Sequence, residues 1–221
     1  MDTIVEPLSS IYVPSKARLA SPTIRALIEE GIDHEVWVHG SEIFDYEYAY
    51  PGIRLVAHNL DDIGAIRHAI MEEARATGRE FCWQVDDDIR RTLYRPPGEK
   101  KHYPVSWRRW LRGMEQELGH WPTVAIGGPL PVQYAWSSQE PTLNGHANGI
   151  AVLRTHAPID YLTGVIEDWD IVFQAWAAGW HSIRFSQFAY DFPKMGTSPG
   201  GMEEAYAAGW QEPRRAATLE K

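Results

Sequence analysis

A single cysteine in 221 residues excludes a disulfide framework. Cys82 lies inside an apolar run, and we read it as a small buried residue in a reducing compartment. No run of about 18 apolar residues occurs, so no segment is read as a membrane span. Met1 to Ser10 also lacks the basic-then-apolar pattern of an export signal, and the expectation is a soluble, cytoplasmic protein. Basic excess is missing too. The net charge is −9, so an indiscriminate polyanion binder is not expected and any nucleic-acid contact must be local. The densest basic stretch is Trp107-Arg108-Arg109-Trp110-Leu111-Arg112, preceded by Lys100, Lys101 and His102. The phosphate loop G-x-x-x-x-G-K-[ST], the G-x-G-x-x-G fingerprint and the G-x-S-x-G elbow are all absent. ATPase, dehydrogenase and serine-hydrolase readings therefore fall away. His34, His39, His58 and His68 show no zinc-ligand spacing.

What is present suits a folded chain. Apolar residues make up 44% and charged residues 23%, enough for a substantial core in one large domain or two small, closely packed ones. Ten Trp, ten Tyr and six Phe serve packing first, and also suit stacking on sugars or bases. No internal repeat or low-complexity segment is visible.

Periodicity orders the first half as β-α-β-β-α-β. Ile11 to Pro14 reads as a strand, followed by a polar loop through Lys16 and Arg18. Ser21-Pro22 opens a helix with Ile24, Leu27 and Ile28 on one face, ended by Gly31. His34 to Val38 is a second strand, Phe44 to Pro51 a loop, and Ile53 to Val56 a third strand. Asp61 is expected to cap a helix carrying Ile63, Ile66 and Ile70, with Gly78 as its stop. The fourth strand begins at Phe81. Beyond Pro96 the pattern loosens. Trp107, Trp110, Leu111, Met114 and Leu118 mark a helix face; Thr123 to Ile126 reads as a strand broken by Gly127-Gly128-Pro129, and Ile150 to Leu153 as another. Asp170 to Ala178 reads as a helix and Ile183 onward as a last strand; Thr197 to Gly201 is expected to be a hinge able to act as a lid, and Arg214 to Lys221 a frayed tail.

The most informative feature is the run Phe81-Cys82-Trp83-Gln84-Val85 ending on Asp86-Asp87-Asp88. Ligands bind at strand ends in α/β sheets. Carboxylates crowded there repel one another unless a positive charge sits among them. A hard divalent cation, bridging to substrate phosphates, is the natural partner. Alternatively, these acids cap a helix starting at Ile89.

Ile11-Tyr12-Val13-Pro14-Ser15-Lys16-Ala17-Arg18, then Asn59 with Gly64 and Arg67, the Trp83 to Asp88 strand end and Glu167-Asp168-Trp169-Asp170 resemble a GT-A glycosyltransferase. Within that fold they are similar to the phage TET-associated glycosyltransferases, which are linked to sugar addition on hydroxymethylated pyrimidines in DNA. The resemblance runs over roughly residues 10 to 200. It implies an α/β, Rossmann-type, mixed but mostly parallel sheet flanked by helices, in one GT-A-like domain. Residues 10–95 would be a nucleotide-binding half, 96–200 an acceptor-side half, and 201–221 a C-terminal helix and tail. The expected reaction is metal-dependent transfer from a nucleotide-sugar, a UDP-sugar by expectation, with Mn2+ or Mg2+, to a hydroxyl such as that of 5-hydroxymethylcytosine in DNA.

The resemblance also implies roles. Asp88 would be the direct metal ligand, with Asp86 toward the ribose or sugar hydroxyls and Asp87 assisting either. Asp191 would supply a late metal contact where many relatives carry His. Pro14, Ser15, Lys16, Arg18, Asn59, Gly64 and Arg67 would surround the nucleotide-sugar, Arg67 through its planar donor fork. Asp168, with Glu167 second, would take the acceptor proton, although acids before a helix favour its dipole whatever the function. The loop Asn144 to Gly149, Asn148 among its residues, could approach the sugar or the acceptor, or be a plain hairpin turn. Trp107, Trp110 and Trp136 could hold a flipped base, or be core. A polysaccharide or protein acceptor and a nucleotidyltransferase use the same acids and stay open. A carbohydrate-binding module is the non-enzymatic alternative, disfavoured because such modules are usually all-β.

Overall fold

The computed structural model describes residues 9–135, 140–146, 149–164, 166–193, 209 and 211–219. The elements run β1 Ser10–Pro14, α1 Pro22–Glu29, β2 Glu35–His39, α2 Ile43–Ala49, β3 Arg54–His58, α3 Ile63–Ala76 and β4 Phe81–Val85. Then come β5 Arg91–Tyr94, β6 Tyr103–Pro104, α4 Trp107–Gly119, β7 Val124–Pro131, β8 Thr142–Leu143, β9 Ile150–Arg154, α5 Glu167–Ala177, β10 His181–Asp191 and α6 Gln211–Leu219. All the strands join one sheet, in the order β3-β2-β1-β4-β9-β7-β10-β5-β6, with β8 pairing β10. The first four strands are mutually parallel. β9 runs antiparallel between β4 and β7, and β7 and β10 are parallel again.

β4 shows why the strands read as unbroken apolar runs: every one of its residues is buried, because helices cover both faces of the sheet. Alternation sends Phe81, Trp83 and Val85 to one core with α1, α2 and α4, while Cys82 meets Ile70 and Met71 of α3 and Ile171 of α5. The one polar residue of the strand, Gln84, is fully buried and accepts from Arg67.

The turn chemistry follows expectation at Ser21, whose side chain caps α1, and at Gly31, Gly78 and Gly179, all at positive φ. Other expectations are corrected. Phe44 to Pro51 is mostly the helix α2, held by buried Tyr46. The cap of α3 is Asp62, not Asp61, and accepts from Gly64 and Ala65. Ile28 is 41% exposed, so the buried face of α1 is carried by Thr23, Ile24 and Leu27. Gly127-Gly128 does not break β7, because the strand needs glycine there: a Cβ on Gly127 would lie 3.0 Å from Val152 and 3.1 Å from Phe185. No helix begins at Ile89, which leads into β5. Arg214 to Leu219 is helical, and Thr218 Oγ1 accepts from the Ile166 amide at 3.0 Å.

Trp107 and Trp110 are corrected as acceptor residues. They are 4% and 0% exposed, lie edge to face with each other, and Trp110 Nε1 donates to the Leu93 carbonyl. Their helical spacing points them into the sheet, so neither can meet a ligand. Trp136, Asn148 and the hinge at 197–201 lie outside the described residues.

Candidate active site

β4 ends at Val85 and delivers Asp86, Asp87 and Asp88 just beyond its carboxyl end, the last two in a turn. Asp87 falls on the α1/α2 side and is completely housed. Ser15 Oγ donates to it at 2.5 Å, Arg18 Nη1 is ion-paired with it, and the Tyr46 hydroxyl meets Ser15 Oγ at 2.7 Å. Ser21 Oγ donates to its carbonyl, and Thr23 Oγ1 to that of Asp86. Burial raises the Asp87 carboxyl to about 6 against the pull of Arg18 and Ser15.

Asp86 falls on the α3/α5 side. Its amide donates to the Gly149 carbonyl at 2.8 Å, and its carboxylate takes Arg67 Nη2 at 2.7 Å. A side chain on Gly149 would sit on that carboxylate, so the glycine is what lets β9 start beside it. Arg67 is buried, reaches Gln84, stands 3.6 Å from Glu167, and lies 5.9 Å over the Tyr161 ring. Burial works against its charge, but Asp86, Tyr161 and Glu167 hold it protonated. In this arrangement Arg67 is engaged by the protein's own carboxylates, Asp86 and Glu167.

Asp88 differs from both. Its nearest cation is Arg18, at 3.5 Å and already paired with Asp87. Burial, then Asp86, raises its carboxyl to about 7. Glu167 and Asp168 form the first turn of α5, where the helix dipole favours them. Glu167 is buried and pushed up to about 7 by desolvation, against Arg67. Asp168 is more open. Its Oδ2 lies 2.9 Å from His146 Nε2, and it lines a small pocket with Arg67, Gly149, Tyr161 and Ile171. Arg184 and Tyr190 of β10 lie near enough to Asp168 for its charge to act on them. Burial lowers the Arg184 guanidinium and raises the Tyr190 hydroxyl, the latter further by Asp86, Asp88 and Asp168.

The other expected residues divide. Ser15 is brought to the site but spends its hydroxyl on Asp87 and Tyr46; Pro14 is the buried last residue of β1. Lys16 is exposed beside them, and Arg18 stands at the mouth of the acid cluster. Asn59 is exposed beyond β3, its side chain beside Gly40. Gly64 is required by packing, since a Cβ there would overlap the Leu162 carbonyl. Asp191 is salt-bridged to Arg91 at 2.6 Å, and its neighbour Tyr190 is the β10 residue on which the charges of Asp86, Asp88 and Asp168 act.

His146, Gly149, Arg184 and Tyr190 were not expected individually. The loop Asn144 to Gly149 was, but nothing in its composition singles out the imidazole that reaches Asp168. Tyr190 follows from alternation only once the face of β10 is known.

The carboxylates fit a hard cation in donor chemistry, and among the described residues the cation beside Asp88 is Arg18, which it shares with Asp87. Among the described residues, however, no three His, Cys, Asp or Glu side chains are gathered to hold a metal ion. The site suits an ion bound through one or two carboxylates together with substrate phosphate and water.

A family model for the TET-associated glycosyltransferases matches residues 9–201. No curated protein sequence matches the chain. Among solved structures, GalNAc-T7 crystallised with UDP, GalNAc and Mn2+ superposes with a TM-score of 0.56 at 9% identity, over 90% of this chain and 46% of that one. The chain thus spans about half the length of that relative. A protein from Desulfovibrio desulfuricans G20, provisionally assigned as a nucleotide-diphospho-sugar transferase, gives a TM-score of 0.52 at 10% identity, over 96% and 97% of the two chains. The shared fold is that of GT-A glycosyltransferases.

Proposed function

Taking as premise that the chain belongs to the TET-associated glycosyltransferase family, we propose that it transfers a sugar from a UDP-sugar to a hydroxyl acceptor, 5-hydroxymethylcytosine in DNA. The observation that carries the donor reading is Asp88: a carboxylate crowded by Asp86 and Asp87, raised to about 7, and sharing the Arg18 cation with Asp87. Such a group gains most from a divalent ion arriving with a diphosphate. Asp88, with Asp86 beside it, would hold Mn2+ or Mg2+, whose chemistry is to neutralise charge on the departing diphosphate. Lys16 and Arg18, at the end of β1, lie where they would add positive charge to the nucleotide, and Asn59 would line its approach. Residues 10–95 form the donor half in this reading, and 96–200 the acceptor half.

Asp168 acts as base. It is the more accessible carboxylate of the pair and lines a small pocket with Arg67, whose guanidinium is bonded to Asp86, whereas Glu167 is buried against Arg67. The acceptor hydroxyl gives its proton to Asp168 as its oxygen bonds the sugar anomeric carbon. The bond from that carbon to the diphosphate breaks, and UDP leaves with the electron pair. No described helix is long and apolar enough to cross a membrane, consistent with a substrate met in solution.

A calorimetric titration of UDP, with and without Mn2+, tests the donor half in wild type and Asp88→Ala. Metal-dependent binding that the substitution weakens at least 100-fold is expected. Absence of binding to any nucleoside diphosphate under either metal would overturn it. An oligonucleotide carrying 5-hydroxymethylcytosine then tests the acceptor. Sugar transfer to a polysaccharide or protein instead would fit the net charge of −9 and replace that part of the reading.

A further inference from the structure

Resting on the assignment of Asp168 as base, we propose that His146 is its positioning residue, holding one carboxylate oxygen so that the other faces the acceptor. The imidazole Nε2 lies 2.9 Å from Asp168 Oδ2. It is buried, out of line for a regular hydrogen bond, and has no other polar partner. A buried ring nitrogen without another partner is costly unless it serves the group it faces. Contacts of this kind are often poorly aligned before substrate binds and tighten afterwards.

The ring is fixed from two sides. It stacks on Trp169 with centroids 4.2 Å apart and planes 20° from parallel. Its own carbonyl accepts from Arg184 Nε at 2.5 Å, and the stem of Arg184 lies over Gly145, where a side chain would collide with it. His146 is thus braced by α5 and β10 together, so its approach to Asp168 does not depend on a free loop. Trp169 follows Asp168 on the same helix turn, which ties ring and carboxylate to one rigid element. Asp168 is also faced by Asp86 from β4, by Arg184 and Tyr190 from β10, by Tyr161, and by Glu167 on its own helix. Among these, His146 is the side chain in direct contact with a carboxylate oxygen of Asp168. With Oδ2 so engaged, Oδ1 is left to accept the acceptor proton.

A plain structural role is the competing account: His146 would pin the 144–149 loop to α5 and nothing more. A double-mutant cycle separates the two. UDP release is measured from UDP-glucose, UDP-galactose, UDP-N-acetylglucosamine and UDP-N-acetylgalactosamine, with a 5-hydroxymethylcytosine oligonucleotide or water as acceptor. His146→Ala is expected to lower kcat about 10- to 100-fold at unchanged donor KM, the scale of a small misplacement of a catalytic group. His146→Gln, which keeps a side-chain donor and guards against loss of folding in the alanine variant, is expected to recover part of that loss. In an Asp168→Asn background, His146→Ala is expected to cost nothing further. Equal losses in both backgrounds, or a kcat within about twofold of wild type, would overturn the positioning role while leaving the base assignment intact. If Asp168→Asn itself keeps wild-type turnover, or the wild type releases no UDP from any donor, the base reading fails and this inference with it.

Discussion

Asp87 and Asp88 are chain neighbours of one chemistry, and the protein treats them oppositely. Asp87 is enclosed by Ser15, Arg18, Tyr46 and the α1 cap, each of its oxygens with a partner from the chain itself. Asp88 is left sharing Arg18 at 3.5 Å, crowded by the charge of Asp86 and near enough to act on the Tyr190 hydroxyl. Both lie in the turn that follows β4, and what separates them is that Ser15 and Arg18 close on the Asp87 oxygens. A satisfied carboxylate is a structural joint. A carboxylate held near neutrality by its neighbours is one that a ligand can recruit, and perturbed groups of that kind gather at functional sites.

The comparison is broken most severely at the pocket. Asp168→Asn is expected to reduce sugar transfer by about 10²- to 10⁴-fold, the usual worth of a positioned base. Its melting temperature should stay close to that of wild type, since Asp168 stands in the open pocket. A variant that unfolds but retains specific activity would move Asp168 to the structural side. Next comes Asp87→Ala, with the opposite signature. It removes the buried carboxylate that Ser15 and Arg18 both bond and is expected to cost about 3–5 kcal/mol in denaturant unfolding. Unfolding free energy indistinguishable from wild type would show that the Asp87 pocket is no joint at all.

The division between joint and recruitable carboxylate also marks what could be read from residues alone. The first half of the chain was legible because local rules act there: strand alternation, the Ser21 cap, and glycine stops at Gly31 and Gly78. The acid triplet was visible as a strand end. Its division into a housed and an exposed carboxylate was not, because that depends on Ser15 and Tyr46 arriving from 72 and 41 residues away in sequence. The second half was less legible because antiparallel β9 and the long β10 assemble it from distant segments. Trp107 and Trp110 carried an aromatic signal that burial explains in full, while His146 carried none. The pairing of Asp191 with Arg91 was not legible, since it depends on β10 lying antiparallel beside β5.

Titration sharpens the contrast with a smaller effect. Asp88 is raised in the folded protein to about 7 from the usual carboxylate range, and Glu167 likewise. A raised carboxyl stabilises the fold most below its unfolded value, and that contribution is lost as pH climbs through the folded one. Ligand-free protein should therefore lose stability between about pH 5 and 8. Asp88→Asn removes one of the two charges, and at pH 8 it is expected to gain on the order of 1–3 kcal/mol in chemical unfolding. The gain should shrink toward pH 5, where the wild-type carboxyl is already neutral. A destabilised Asp88→Asn at pH 8 would mean that Asp88 is held by the chain as Asp87 is.

Asp191 tests the lower end of the scale. It carries the same charge on the edge of the same sheet, and its carboxylate is bonded to Arg91 Nε at 3.0 Å and Nη2 at 2.6 Å. Arg91 keeps 61% of its side chain exposed, so solvent screens the pair. Asp191→Asn is expected to change stability by less than about 1 kcal/mol and to leave Mn2+-dependent UDP binding intact. That outcome would separate a surface ion pair from the recruitable carboxylate at Asp88, although both are acids at strand ends. A loss of UDP binding comparable with that of Asp88→Ala would require the Arg91 pair to open and Asp191 to turn toward Asp88.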